Sequence, residues 1–343
     1  MQSRKVSLLT PMYNTAGYVH RLLDSVLGQD YPDIEMIVID DGSTDGSRQV
    51  VESYISRFAA KGYVLRYEYQ ANSGQSVAVK RGLPLVTGTY LAWPDSDDYY
   101  SSDRAISKMV SALESAPEEF QMVRTQVIHV EDGTLRHLQT DGLDAHEEEP
   151  RSLFEDCLFG RNGFYYCAGS YLVRTAVLRE LTDFDIYTEK NAGQNWQLTV
   201  PVLHKYRCRT IMEPLFTVVE RAASHTRGQY DGYEQSLIRY NAYVNTQTET
   251  LKRLKGFPPQ LIPDYSRQIL EYNDRRLFEV ALRENNRRAA LSKLPACKAE
   301  MGSGGYRLTG AILHLPGGTF LINAYRSLHH ALHLLKKRFA HVQ

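Results

Sequence analysis

The chain has 343 residues, 43% of them hydrophobic, and its 40 Lys and Arg offset 40 Asp and Glu to a formal net charge of zero. That length accommodates one large domain with an appendage or two domains, the apolar content excludes global disorder, and the charge balance argues against a general nucleic-acid binder. No run of about 18 apolar residues suits a transmembrane helix, the N-terminus reads as a strand rather than a secretory signal, and Cys157, Cys167, Cys208 and Cys297 lack zinc-like spacing, so reduced thiols in a cytoplasmic protein are expected.

The first hundred residues alternate between two periods. "VSLLT" at 6–10 is a continuous apolar run that predicts a buried strand. Val19, Leu22, Leu23, Val26 and Leu27 then repeat at helical spacing. "IEMIVID" at 34–40 reads as a second strand, and Val50, Val51, Tyr54, Ile55 and Phe58 as a second helical face. "YVLRYEY" at 63–69, a helix over 75–85 and "TYLAW" at 89–93 complete the series. This order implies an α/β fold, a mainly parallel sheet with helices on both faces. Residues 121–139 read as a hairpin turning at Asp132-Gly133. Residues 230–294 read as helical, "MGSGGYRLTG" at 301–310 as a linker, and 321–339 as a final helix.

Ligands of open parallel α/β sheets bind beyond the carboxyl ends of the strands. All four ends here are polar: "TPMYN", "DDGSTDGS", "QANSGQS" and "PDSDD". A dinucleotide fingerprint is excluded, because Pro11 and Tyr13 stand where its glycines belong, and no Walker A sequence exists. In "PDSDD", Asp95, Asp97 and Asp98 repel one another unless a positive group joins them. Asp95 and Asp97 point the same way if the segment is extended. The plain reading of the segment is a calcium-like loop or a cap for the next helix.

"PMYN" at 11–14, "VIDDGSTDGS" at 38–47, "NSGQSVAVKRGL" at 72–83 and "GTYLAWPDSDDYY" at 88–100, in this order, resemble a family 2 glycosyltransferase of the bacterial surface or capsular polysaccharide type. The resemblance implies a GT-A fold over residues 1–228, with a helical region over 229–343. It implies transfer of a sugar from a nucleotide-diphosphate donor, with Mn²⁺ or Mg²⁺ as cofactor. By resemblance, Pro11, Tyr13, Asn14, Asn72, Gln75, Asp95 and Ser96 contact the nucleotide sugar, and Asp41 accepts from a uracil N–H, which favours a UDP-sugar. Asp97 becomes the metal ligand, and Asp98 belongs to a supporting or acceptor-side position. Lys80, where the family often has Asn, reads either as a phosphate contact or as a solvated surface cation, and Asp40 as a structural turn residue.

The acceptor half departs from the family pattern. An inverting transfer needs a base for the acceptor's proton, and the family supplies it from a Glu-Asp pair. The matching segment, "YTEKNAGQNWQLTVPVL" at 187–203, has Gln194-Asn195 instead, and amides cannot take that proton. Three readings stay open: Asn195 positions the acceptor while Glu189 or Asp185 is the base; the register differs; or the protein binds a sugar nucleotide without transferring. His225 resembles a late metal or diphosphate contact, with Arg221 and Arg227 available to phosphate; a hydrogen-bonded surface histidine is the alternative. Tyr165, Tyr166 and Trp196 either border the acceptor or belong to the core. Tyr325, Leu328, Leu332, Leu335 and Phe339 share one face of a basic helix, suited to peripheral contact with the inner face of a membrane, to its own chain or to a second subunit.

The leading expectation is an inverting, metal-dependent transferase acting on a glycan or lipid-linked acceptor. A non-catalytic sugar-nucleotide-binding partner of another transferase comes second. A nucleotidyltransferase is weaker, because no Gly-rich basic loop follows the first strand.

Overall fold

Strand β1 (Val6–Met12) and strand β2 (Ile34–Asp41) are buried at every residue, as runs without polar alternation are in a sheet covered on both faces. The computed structural model that describes them covers residues 4–141, 152–221 and 232–324. Helix α1 (Val19–Leu27) buries Val19, Leu22, Leu23 and Val26, the spacing of one helical face. Helix α2 (Ser47–Lys61) does the same with Val51, Tyr54 and Phe58. Strand β3 (Val64–Gln70), helix α3 (Gln75–Gly82) and strand β4 (Tyr90–Ala92) follow. These strands pair in parallel in the order β3-β2-β1-β4. All four therefore deliver their carboxyl ends to one edge. Pro11 lies beyond the last β1–β4 pair, Leu8 with Ala92, where its missing N–H breaks no ladder on that side.

Past Ala92 the sheet changes character. Strand β5 (Tyr99–Tyr100), helix α4 (Ala105–Glu114), strand β6 (Phe120–Glu131) and strand β7 (His137–Asp141) come next. Helix α5 (Phe154–Phe159), strand β8 (Tyr171–Arg174), helix α6 (Thr175–Thr182), helix α7 (Asn195–Lys205) and strand β9 (Arg207–Glu220) complete this region. The nine-stranded sheet runs β3-β2-β1-β4-β8-β6-β9-β5, with β7 on β6. The pairs of β8 with β4 and β6, of β5 with β9 and of β7 with β6 are antiparallel; β6 and β9 run parallel. The mainly parallel expectation thus holds for the first half, and the complete sheet is mixed. The hairpin at Asp132-Gly133 forms as its turn chemistry predicts.

Helices α8 (Tyr233–Arg253), α9 (Ile262–Arg283), α10 (Arg287–Lys293) and α11 (Lys298–His314) form the helical C-terminal region. Contacts divide the chain into one unit of Met1–Ser224 with Asn245–Ile262 and another of His225–Val244 with Pro263–Gln343, so α8 contributes to both. The second unit has its own core of Phe278, Ala281, Leu282, Ala290, Leu294 and Leu313 among others. The linker expected at 301–310 is instead part of α11. Gly302 (φ 65°) kinks the helix, and the following turns are held because Tyr306, Ile312 and Leu313 join that core. Of the expected final helix, only residues up to 324 lie within the described chain. Among the described residues, no helix is long and apolar enough to cross a membrane.

Candidate active site

The ends of β1 and β2 are tied together first. Asn14, at a left-handed φ of 50°, donates its N–H to Ser43 Oγ (2.9 Å) and accepts from the Thr44 N–H on Oδ1 (2.8 Å). Asp40 Oδ1 accepts from the Ser43 N–H and its Oδ2 from the Tyr67 hydroxyl, the structural role expected of it. Asp41 is 4% exposed. Its Oδ1 accepts from Gln70 Nε2 (2.7 Å) and the Ser73 N–H (2.8 Å), and its Oδ2 from the Gly74 N–H (2.8 Å). Asn72 Nδ2 donates to the Asp41 carbonyl (3.0 Å). The carboxylate therefore shapes the loop entering α3. Gly74, at φ 101°, completes this loop. A Cβ there would stand 2.9 Å from the Lys190 carbonyl oxygen, so the segment around 190 packs directly on its backbone.

The "DSDD" segment binds the rest of the site together. Asp95 Oδ1 accepts from Gln75 Nε2 and from Gln194 Nε2, both at 3.0 Å. One oxygen thus joins the α3 start, the end of β4 and the start of α7. Asp95 keeps some accessible surface, yet burial, and next the Asp97 charge, push its carboxyl up to about 7, against the pull of Gln194, Arg221 and Gln75. Asp98 is 6% exposed and accepts from the Val219 N–H on Oδ1 (2.9 Å). Burial first, then Asp97 and Asp95, raise its carboxyl well above the usual range. It clamps the end of β9. Ser96, also buried, accepts from Thr15 Oγ1 (3.1 Å) and so ties this segment to the loop after β1.

Asp97 has a cationic partner. Arg221, one residue past β9, makes an ion pair from Nη2 to Asp97 Oδ2. The guanidinium carbon sits 4.7 Å from the centroid of the Tyr18 ring, and Tyr18 donates its hydroxyl to Asp132 Oδ2 (2.7 Å) in the β6–β7 turn. Among the described residues no three His, Cys, Asp or Glu side chains gather to cage a metal.

The segment before α7 lies beside this centre. Asn195 Oδ1 accepts from Trp93 Nε1 (3.1 Å), and its Nδ2 approaches the Tyr166 carbonyl at 3.5 Å. Ser76, in the first turn of α3, donates its hydroxyl to the Glu189 carbonyl (3.0 Å) and accepts from the Glu189 N–H (3.2 Å). Glu189 Oε2 accepts from the Tyr187 hydroxyl (2.7 Å). Asp185 pairs with Lys80 (2.6 Å), and Arg253 Nε lies 3.8 Å away. The Lys80 hydrogen bond, with both cations' charges, holds the Asp185 carboxyl below its usual range.

The sequence that builds this site matches a known family. The model for "Glycosyl transferase family 2" fits residues 7–182, just over half of the 343. The chain belongs to glycosyltransferase family 2. Among its relatives, "Uncharacterized glycosyltransferase alr2836" of Nostoc sp. is 31% identical over 144 residues, 42% of this chain and 44% of that protein. "Putative teichuronic acid biosynthesis glycosyltransferase TuaG" of Bacillus subtilis is 33% identical over 154 residues, 45% of this chain and 56% of that one. The chain thus spans about half the length of these curated relatives. The crystal structure of S. aureus TarS 1–349 in complex with UDP-GlcNAc is 18% identical, with a TM-score of 0.56 over 87% of this chain and 80% of that one. Mannosyltransferase PcManGT from Pyrobaculum calidifontis, in complex with GDP-Man and Mn²⁺, is also 18% identical, with a TM-score of 0.52 over 95% and 85%. Those two likenesses establish the GT-A fold.

Within that family frame, the structure brings together Asn14, Asn72, Gln75, Asp95, Ser96, Asp97, Gln194 and Asn195. Pro11 is buried in β1, and Tyr13, just past β1, is 41% exposed. Lys80 pairs with Asp185, both side chains about half exposed. Tyr165 is corrected to a core residue: it is 5% exposed and donates to the Thr125 carbonyl (2.8 Å), leaving no ring face for a sugar. Tyr166 donates to the Cys157 carbonyl, and Trp196 Nε1 to that carbonyl (3.0 Å) and to the Tyr166 hydroxyl (3.2 Å), so this pair is cross-braced. His225 lies outside the described residues. Trp93 and Tyr18 escaped the sequence reading, and Asp132 entered it only as a turn residue.

Proposed function

We propose that this chain is an inverting glycosyltransferase that moves a sugar from a nucleotide-diphosphate donor, a UDP-sugar, to a hydroxyl of a glycan or lipid-linked acceptor in cell-surface polysaccharide synthesis. The carrying observation is the convergence of Gln75 and Gln194 on one oxygen of Asp95, which assembles donor-side and acceptor-side motifs into one centre. A UDP-GlcNAc complex among the fold relatives and a teichuronic acid transferase among the sequence relatives support the substrate class.

Within this reading the amides at 194 and 195 have structural tasks. Gln194 gives Asp95 a neutral donor where a second carboxylate would repel it, and Asn195 orients Trp93. The base is then Glu189. It sits six residues before the start of α7, with its N–H and carbonyl fastened to Ser76, and it has no cationic partner among the described residues. Asp185, tied to Lys80 and with its carboxyl held low, is the poorer base. Glu189 takes the acceptor hydroxyl's proton as that oxygen bonds to the anomeric carbon and the bond to the diphosphate breaks, inverting the centre. The donor set fits a divalent cation: one Asp97 carboxylate with phosphate and water oxygens is the usual ligation of Mg²⁺ or Mn²⁺, which need no all-protein cage. Bound there, the cation would neutralise the diphosphate leaving group as a Lewis acid.

Incubation with UDP-sugars, Mn²⁺ and candidate acceptors should release UDP in proportion to acceptor. Glu189→Gln should lower kcat about 100-fold or more while leaving UDP affinity within about twofold, the contribution of one general base. Full turnover by Glu189→Gln would reject it as the base. Binding of UDP-sugar without acceptor-dependent release would favour a non-catalytic partner, the reading that the amide pair at 194–195 keeps open. Membrane contact and self-association belong to the second unit under this proposal.

A further inference from the structure

Clustered carboxylates need a positive partner, and in this fold the chain supplies one itself. Asp95, Asp97 and Asp98 fall within four residues, and among the described residues only Asp97 is paired with a cation. Asp95 is bound by two amide side chains and Asp98 by a backbone N–H. Arg221 is placed with some care. Asp98 fixes Val219, two residues earlier, and β9 runs beside β6 through the Glu131–Glu220 pair. The guanidinium rests on the Tyr18 ring, whose hydroxyl is anchored on Asp132, while Arg21 lies 3.9 Å from the same carboxylate. Arg221 and Asp97 are 19% and 18% exposed, so the pair is shielded but open on one side. Arg221 Nε is buried without a partner among the described residues, so its donor capacity is only partly used.

We propose that Arg221 is an exchangeable counter-ion: it holds Asp97 while the donor site is empty and moves to the diphosphate when a metal–nucleotide complex takes over that carboxylate. The inference rests on the transferase reading and deepens it. Arg221 competes with a bare divalent cation for the same oxygen, and among the described residues no three ligating side chains gather there to outbid it. A nucleotide diphosphate removes the competition, because it offers the guanidinium another anion with matching geometry. Cation binding therefore becomes conditional on nucleotide, and the site does not fill with metal alone. No bond is made or broken in this exchange; one ion pair is replaced by two.

Calorimetry of the full chain tests this with Mn²⁺ alone, with UDP in EDTA and with UDP plus Mn²⁺. Wild type should bind Mn²⁺ alone at least about tenfold more weakly than it binds Mn²⁺ in the presence of UDP. Arg221→Gln should bind bare Mn²⁺ at least about fivefold more tightly than wild type and UDP at least about fivefold more weakly. Arg221→Lys, which keeps a charge at the position, should keep the wild-type order of binding and guards against a folding defect in the neutral variant. Asp97→Asn should abolish Mn²⁺ binding in both backgrounds. An Arg221→Gln protein with the wild-type affinity for bare Mn²⁺ overturns the exchange while leaving the transferase reading intact. A wild-type chain that binds no UDP-sugar under any condition overturns both.

Discussion

The Asp41 carboxylate organises three donors at once, and two of them are backbone N–H groups of the loop that enters α3. Its removal would leave those donors buried without an acceptor. Unmade hydrogen bonds of this kind cost about 1–3 kcal/mol, more when the acceptor is charged. Asp41→Ala should therefore lower stability by about 2–3 kcal/mol in chemical denaturation and weaken UDP binding at least tenfold, since Gln75 follows directly on this loop. Asp41→Asn should damage both as well: its amide retains one acceptor oxygen for three donors and adds a donor facing them. Wild-type stability in both variants would show that the loop is held by something other than this residue. The adjacent Asp40 gives a sharp comparison, because two acidic residues in one dipeptide face different partners: Tyr67 and Ser43 for Asp40, the next loop for Asp41. The dipeptide alone could not assign these roles, since β2 sends its alternate residues to opposite faces of the sheet and the partners come from β3 and beyond.

At the scale of elements, the strands and helices of the first hundred residues were legible because they carry clean periods: continuous apolar runs for β1 and β2, and three- and four-residue spacing for α1 and α2. The "GSGG" stretch at 302–305 misled because glycine's weak helix propensity is a local term, and packing of Tyr306, Ile312 and Leu313 overrides it. The placing of the site's polar segments at strand ends was legible because there chain order and spatial order coincide. Arg221 as the partner of Asp97 was not: the two are brought together by the antiparallel pairing of β9 with β5, a long-range choice that no spacing announces. Gly74 sits where local and long-range demands meet. Its φ of 101° suits glycine, and the Lys190 backbone leaves no room for a Cβ. Gly74→Ala should cost about 1–3 kcal/mol, the usual range for strained backbone. It should also shift Glu189 and Ser76 together, so kcat and UDP affinity fall jointly, in contrast to Glu189→Gln, where kcat alone falls. A Gly74→Ala protein with unchanged melting temperature and turnover would show that the 187–190 segment yields freely.

At the scale of the whole molecule, the second unit exposes apolar side chains that its own core does not use. Leu308 is 63% exposed, Leu315 51%, Phe320 67% and Leu321 48%. The sequence after Ala324 adds Arg326, Lys336, Lys337 and Arg338 and contains no acidic residue. Apolar surface beside uncompensated positive charge is the combination that binds anionic lipid, and each cation near such a surface is worth about 1 kcal/mol. Four of them would together change partitioning by about three orders of magnitude. Co-sedimentation with vesicles containing phosphatidylserine should show this binding, with little binding to phosphatidylcholine alone. Raising salt from about 0.15 M to about 1 M shortens the screening length from about 8 Å to about 3 Å and should release most of the protein. Replacing Lys336, Lys337 and Arg338 by Glu should weaken anionic-vesicle binding about tenfold or more. Phe320→Ser should weaken it less, and the loss should persist at high salt, because the apolar contribution is unscreened. Equal partitioning of wild type and both variants into both kinds of vesicle would reject the membrane surface as this unit's partner and leave the exposed apolar residues to a second copy of the chain, which sedimentation velocity of the same samples would reveal.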